Sequence, residues 1–299
     1  MKIDAPGATR MNTGHLALLL LIVLAGLVAV SQGVSAIDWG DQEEVYPDDA
    51  SGVRVAVDGN RVFVVWSERG DDLDVYLKWY DGRKWHDPVM VNDNRPGTDQ
   101  LFPDVAADDG TAHVVWVDRS TNSDICYRAF SGTTWSVQLE LSVDSDAEQQ
   151  SMPAVTAQGD EVHVVWTDTG DGDSDVHLRS YDGLRWSPVT EVSVDVVDED
   201  QYTPDVAVDG DQLHVVWVFQ DRSGYRLQHR WHGRTGWSNI LDAGEGGSVD
   251  GTGDPSLAAS AGRAYVAWRG YHDRMPRVFA RIFDPGGWGI ITHMGPDQG

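Results

Sequence analysis

Tryptophan recurs in this chain on a fixed period. Trp66, Trp116, Trp166, Trp217 and Trp268 stand 50, 50, 51 and 51 residues apart. Trp85, Trp135, Trp186, Trp237 and Trp288 follow them at a distance of 19 or 20 residues. Ten of the thirteen tryptophans thus sit on one template used five times, so the chain has to fold as five similar units.

Each unit opens on a short apolar run, such as Pro103-Asp104-Val105-Ala106 or Pro204-Asp205-Val206-Ala207. A turn follows (Asp109-Gly110, Asp209-Gly210), then a β-branched run ending in the first tryptophan. Two such runs joined through Asp-Gly predict a hairpin. A polar loop leads to a third alternating run, as at residues 175–181. A tight turn and a fourth run complete the unit, as at residues 186–192. Four short strands per 50 residues, with no helical periodicity, describe a propeller blade. A lone blade cannot cover both of its faces, so the units must stack. The expectation is an all-β propeller of four-stranded antiparallel blades, five rather than six. Residues 39–45 repeat the Trp-x5-Val spacing of 186–192, yet the last unit has its own equivalent at 288–294. Which of the two closes the ring is left open.

Residues 1–36 lie outside the repeats. Residues 16–30 form an uninterrupted run of apolar residues and glycine, short for a membrane span. Val34, Ser35 and Ala36 supply the small side chains of a signal-peptidase site. The chain therefore reads as a signal peptide or N-terminal membrane anchor over 1–36 and a propeller over 37–299. Such a protein is expected to be secreted or held at the cell surface. The single cysteine, Cys126, cannot form an internal disulfide, so stability rests on packing.

Forty-eight acidic residues against 22 basic ones give a net charge of −26, and only three of the basic residues are lysines. A surface of this kind repels nucleic acid and anionic membranes, which are excluded as partners beyond the N-terminal segment itself. The bias fits a high-salt environment, where screening removes the self-repulsion, or acidic loops that bind cations.

The pattern Pro-Asp-Val-Ala-x-Asp-Gly, then Val-His-Val-Val-Trp, then Tyr-Asp-Gly-x-x-Trp-Ser resembles the sialidase-like (BNR or Asp-box) repeat propellers over about residues 45–292. Degenerate boxes are visible at Asp81-Gly82 before Trp85, at Asp182-Gly183 before Trp186 and at Asp284 before Trp288. The resemblance implies the fold and a non-catalytic branch. The family's Phe-Arg-Ile-Pro segment is absent, and its arginine triad has no counterpart here. Lys78, Arg128, Arg179, Arg230 and Arg281 occupy one position in all five units, which predicts a repeated cross-strand role. His113, His163 and His214 share a site with Phe63 and Tyr265, which predicts packing.

Chemistry is expected where the repeats differ. Asp104 and Asp205 face Arg54, Ala154 and Ser256 at the equivalent position in the other units. Paired carboxylates at a channel mouth suit a glycosidase, one as acid and the other as base or nucleophile. Gln100, Gln150 and Gln201 recur three residues before the proline and, with Arg54, are candidate ligand contacts. Asp168, Asp171, Asp173 and Asp175 alternate along one turn and are candidate ligands for Ca²⁺, the one cofactor the sequence suggests. The first functional reading is a recognition module that binds an extracellular glycan or protein through its acidic loop face. The alternative is a glycoside hydrolase, sialidase-like or arabinanase-like, with carboxylates at the channel mouth.

Overall fold

In a computed structural model the five repeats form five antiparallel sheets in chain order, with no helix among the described residues. The structure describes residues 50–93, 96–120, 123–142, 149–170, 172–194, 199–244, 248–249, 254–272 and 275–294. The expected leader over 1–36 and the spare strand at 39–45 lie outside the described residues. Each sheet is one blade of a five-bladed propeller.

Blade 2 shows the plan: an inner strand Gln100–Asp108, a second Thr111–Asp118, a third Asp124–Phe130 and a short fourth Leu139–Glu140. The first two pair from Gln100↔Asp118 to Asp108↔Thr111. Their turn places Asp109 at φ 44° and Gly110 at φ 72°, the two left-handed residues a tight hairpin of matching twist requires.

The fourth strand is shorter than the sequence suggests. In blade 3 an isolated bridge joins Tyr181 to Trp186, and pairing resumes only at Thr190–Glu191. Pro188 lies in the gap and has no N–H to give to a ladder. In blade 5 the same region splits into Gly287–Trp288 and Thr292–Met294. The latter pairs with the third strand, so blade 5 supplies its own outer edge.

The break has a use. Arg128, Arg179, Arg230 and Arg281 each donate from Nε to the carbonyl just beyond the second tryptophan of their own blade, at 2.6–2.9 Å. Each also donates from Nη1 to a carbonyl of the preceding blade: Val91, Leu141, Val192 and Ala243, at 2.7–3.0 Å. Arg128, Arg230 and Arg281 stack on the second tryptophans Trp135, Trp237 and Trp288. The repeated basic residue is thus a clasp between neighbouring blades. Only a planar guanidinium can reach both carbonyls and lie flat on the ring.

Four buried clusters join blade 1 to 2, 2 to 3, 3 to 4 and 4 to 5. The first tryptophan of each later blade lies in the cluster shared with the blade before it. All five first tryptophans are fully buried, and the second set is half-buried against the same seams. The third-strand residues Val75, Ile125, Val176 and Leu227 meet the following blade from the other side of each seam.

The predicted packing of the histidines is realised with a hydrogen bond added. His113 meets the Tyr127 hydroxyl and His163 the Ser180 hydroxyl, each at 2.8 Å. His214 Nδ1 lies 3.0 Å from His229 Nε2, the two rings stacked and both buried.

Candidate functional site

The inner strands of successive blades lie beside one another, and each starts at the end where the second strand finishes. Loops from both sides therefore converge on one mouth. Every inner strand of blades 1–4 carries a register shift near its start. The residue before the proline position takes a left-handed φ: 63° at Gly52, 51° at Phe102, 50° at Met152 and 46° at Thr203. Glycine adopts this freely, whereas the other three hold a conformation costing on the order of 1–3 kcal/mol. Phe102 and Met152 also expose large apolar side chains there. Sequence reasoning missed them, although Gly52 at the aligned position was the available signal.

Two residues further on, the structure brings Arg54, Asp104 and Asp205 into one electrostatic group. Arg54 Nε lies 3.8 Å from Asp104 Oδ1. Asp104 Oδ2 accepts the Val155 amide of blade 3 at 2.9 Å, and Asp205 Oδ2 accepts the Leu257 amide of blade 5 at 2.6 Å. Asp205 Oδ1 accepts the amide of Val206. Burial pushes the Asp104 carboxyl up to about 6. Burial, reinforced by the charge of Asp104, pushes Asp205 up to about 7. Ala154 and Ser256 carry no charge at the matching positions.

The three glutamines are buried beneath this mouth rather than on it. Gln100 accepts Trp116 Nε1 at 2.7 Å and donates to Thr98. Gln150 donates to Asp168 at 3.2 Å, and Gln201 to the Glu199 carbonyl at 3.3 Å. Gln201 Oε1 and Trp217 Nε1 find no hydrogen-bond partner among the described residues.

The acidic turn of blade 3 is divided. Asp168 is buried and takes hydrogen bonds from Gln150 and Trp166, with His177 Nδ1 at 3.3 Å. Burial works against its charge, but these partners prevail and lower its pKa. Asp175 lies directly across the ladder from Asp168 and accepts Ser193 Oγ at 3.1 Å. Burial, then the charge of Glu191, lifts it to about 6. Asp173 precedes it on the loop, and Asp171 lies outside the described residues. Among the described residues no group of three or more His, Cys, Asp or Glu side chains converges as a metal would require.

Asp168 and Asp175 belong to a series. Glu68 and Asp74 in blade 1, and Asp118 and Asp124 in blade 2, are paired across the same register. Blades 4 and 5 replace these carboxylates with Phe219 and Arg226, which stack, and with Gly270 and Arg277. On blade 2 a cleft of about 230 Å³ is lined by Asp118, Asp124 and Glu140, with Cys126 in its wall and Asp93 of the preceding connection at its edge. The cysteine is buried, and burial raises its thiol pKa, so it is not a poised nucleophile.

These features define a β-propeller with a strained, carboxylate-rimmed mouth. The fold is similar to that of an ulvan lyase, a polysaccharide lyase solved with -[GlcA(1-4)Rha3S]- bound. The TM-score is 0.54 and the identity 12%, over 88% of this chain and 73% of that one. It is also similar to an exo-β-1,3-galactanase from Clostridium thermocellum, with TM-score 0.52 and 11% identity over 85% of this chain and 67% of that one. At such identities the likeness establishes the fold alone. No protein-family model and no curated protein matches the chain, so the sialidase-like repeat resemblance rests on its motifs.

Proposed function

We propose that the protein is a secreted or cell-surface recognition module that holds an extracellular glycan at the propeller mouth, through its acidic loop face. The observation that carries this reading is the set of non-glycine residues held at φ near 50° at the starts of the inner strands, with Phe102, two residues before Asp104, and Met152 both exposed. Backbone strain of this kind persists where a site needs it. An apolar side chain suits the C–H face of a sugar ring, and the surrounding carboxylates accept hydroxyl protons. Two structures of the same fold act on polysaccharides or are bound to one, in keeping with this reading. The net charge of −26 favours a neutral glycan over an anionic one. A protein ligand is the other partner the acidic face admits.

Recognition is preferred to hydrolysis because three of the four oxygens of Asp104 and Asp205 accept main-chain amides. A nucleophile or proton donor needs those atoms free. The hydrolase reading keeps one observation in its favour: carboxyls lifted to about 6 and about 7 suit a general acid.

A neutral-oligosaccharide array, read alongside release of reducing ends, separates the two. Retention without turnover, weakened at least tenfold in Phe102→Ala, is the expected result. Reducing-end release that disappears in Asp205→Asn would replace recognition with hydrolysis.

A further inference from the structure

At the position that Phe63 fills between blades 1 and 2, blades 2, 3 and 4 carry His113, His163 and His214. His113 and His163 each meet a hydroxyl, which can turn to give or take a hydrogen bond. Only in blade 4 is the partner a second imidazole. His214 Nδ1 and His229 Nε2 lie 3.0 Å apart, with the rings 9° from parallel and both residues buried. Blade 5 covers the pair: Phe283 meets both rings edge-on, and Trp288 meets His229.

A neutral pair carries two ring hydrogens, and the bond between the rings uses one. The outer nitrogens, His214 Nε2 and His229 Nδ1, find no partner among the described residues. In either tautomer one of them holds a hydrogen without an acceptor and the other a lone pair without a donor. A further proton makes both unmatched donors and adds a buried charge. The charges that act on the pair are Asp209 on His214 and His214 on His229. Asp209 is already engaged, since its Oδ2 accepts the Gly262 amide of blade 5 at 2.5 Å. Phe283 and Trp288 do not titrate, and Arg281 stacks on Trp288 as a fixed positive charge. The inner strands hold this seam by other means. Asp205 accepts the Leu257 amide there, and burial makes it a carboxyl that gains its proton more readily in the folded state.

We propose that acid parts the seam between blades 4 and 5 from its rim, at His214 and His229, while the inner strands stay joined at Asp205 and Leu257. The outer strands of blade 5 then move off blade 4 about the axis of the propeller and admit water to the pair. Opening returns both histidines towards their ordinary pKa of 6.5, so the open form gains protons as pH falls from about 6.5 towards 4. The opening equilibrium then rises by up to about tenfold per pH unit for each histidine that charges. This device is independent of what the mouth binds.

The test is hydrogen exchange on the full chain, followed by NMR and corrected for intrinsic rates. Trp288 Nε1 is buried and finds no partner among the described residues, so its hydrogen exchanges only when water reaches the seam. Trp116 Nε1, bonded to Gln100 in the seam beside Phe63, is the control. From pH 7 to pH 5 exchange at Trp288 Nε1 should rise at least about thirtyfold. Exchange at Trp116 Nε1 and at the Leu257 and Gly262 amides should rise less than about threefold. His229→Tyr gives blade 4 the partner that His113 has in blade 2, and should cut the Trp288 rise at least about fivefold. His214→Phe, which installs the residue of blade 1, should do the same and serves if the first variant does not fold. A Trp288 rise no larger than that of Trp116 overturns the proposal. So does an equal rise at Leu257, which means that the whole seam parts, and so does a rise that neither variant reduces.

Discussion

Asp205 in blade 4 accepts the main-chain amide of Leu257 in blade 5 at 2.6 Å, and Asp104 in blade 2 makes the matching bond to Val155 in blade 3, two seams earlier. Both carboxylates thus hold successive blades together while titrating near neutrality.

For Asp205 the folded-state pKa is about 7, above the unfolded value near 3.8. The folded state therefore holds a proton that the unfolded state releases. Its contribution is full at low pH and is lost as pH rises from about 4 through 7. Asp205→Asn should remove this slope, up to about 1 kcal/mol per pH unit, from urea unfolding curves between pH 5 and 7. An unchanged slope would mean that Asp205 is already ionised in this range.

The histidine pair acts with the opposite sign. Burial lowers His214 to about 4 and His229 to about 3, the latter also through the charge of His214. The unfolded chain takes up protons below about pH 6.5 that the folded chain refuses, so stability falls as pH drops from 6.5 towards 4. His229→Phe should flatten the acid limb of a melting-temperature profile, whatever its effect at pH 8. Retention of the full acid limb would place the sensitivity at His113 and His163, which burial also lowers to about 4.

The arginine clasp has a built-in control, since blade 1 carries Lys78 at that position. Lysine keeps the charge but cannot span two carbonyls while lying on the ring. Arg281→Lys loses at least one bond of the pair to Gly289 and Ala243. It should cost about 1–3 kcal/mol in urea. A loss below about 0.5 kcal/mol would reduce the clasp to charge alone.

Met152 holds a φ of 50°, while Gly52 does the same task in blade 1. Met152→Gly should leave stability unchanged or raise it by up to about 1 kcal/mol. It should also weaken glycan retention on the array. Lower stability with retention intact would make Met152 a packing residue.

The blades were legible because their determinants are local. Tryptophan spacing, Asp-Gly turns and alternating runs report strands wherever they occur. The single position shared by Lys78, Arg128, Arg179, Arg230 and Arg281 already indicated a repeated structural role. The mouth was harder to read because it depends on seams between units. Gln100 and Gln150 looked like ligand contacts by recurrence, yet they serve the buried Trp116 and Asp168. Phe102 and Met152 drew no attention in the sequence, because alternation carries no mark of a register shift.

Each arginine clasp points backwards, from a blade to the one made before it. During synthesis a new blade therefore arrives carrying the means to clasp what has already folded, while Asp104 and Asp205 wait for the amides of the blade that follows. Shortening the chain from its C-terminus removes clasp and blade together. Shortening it from the start of blade 1 leaves Arg128 without the Val91 carbonyl it reaches for. Truncation from the two ends is thus inequivalent: loss of blade 1 leaves Arg128 without its carbonyl, whereas loss of blade 5 leaves Asp205 without the Leu257 amide.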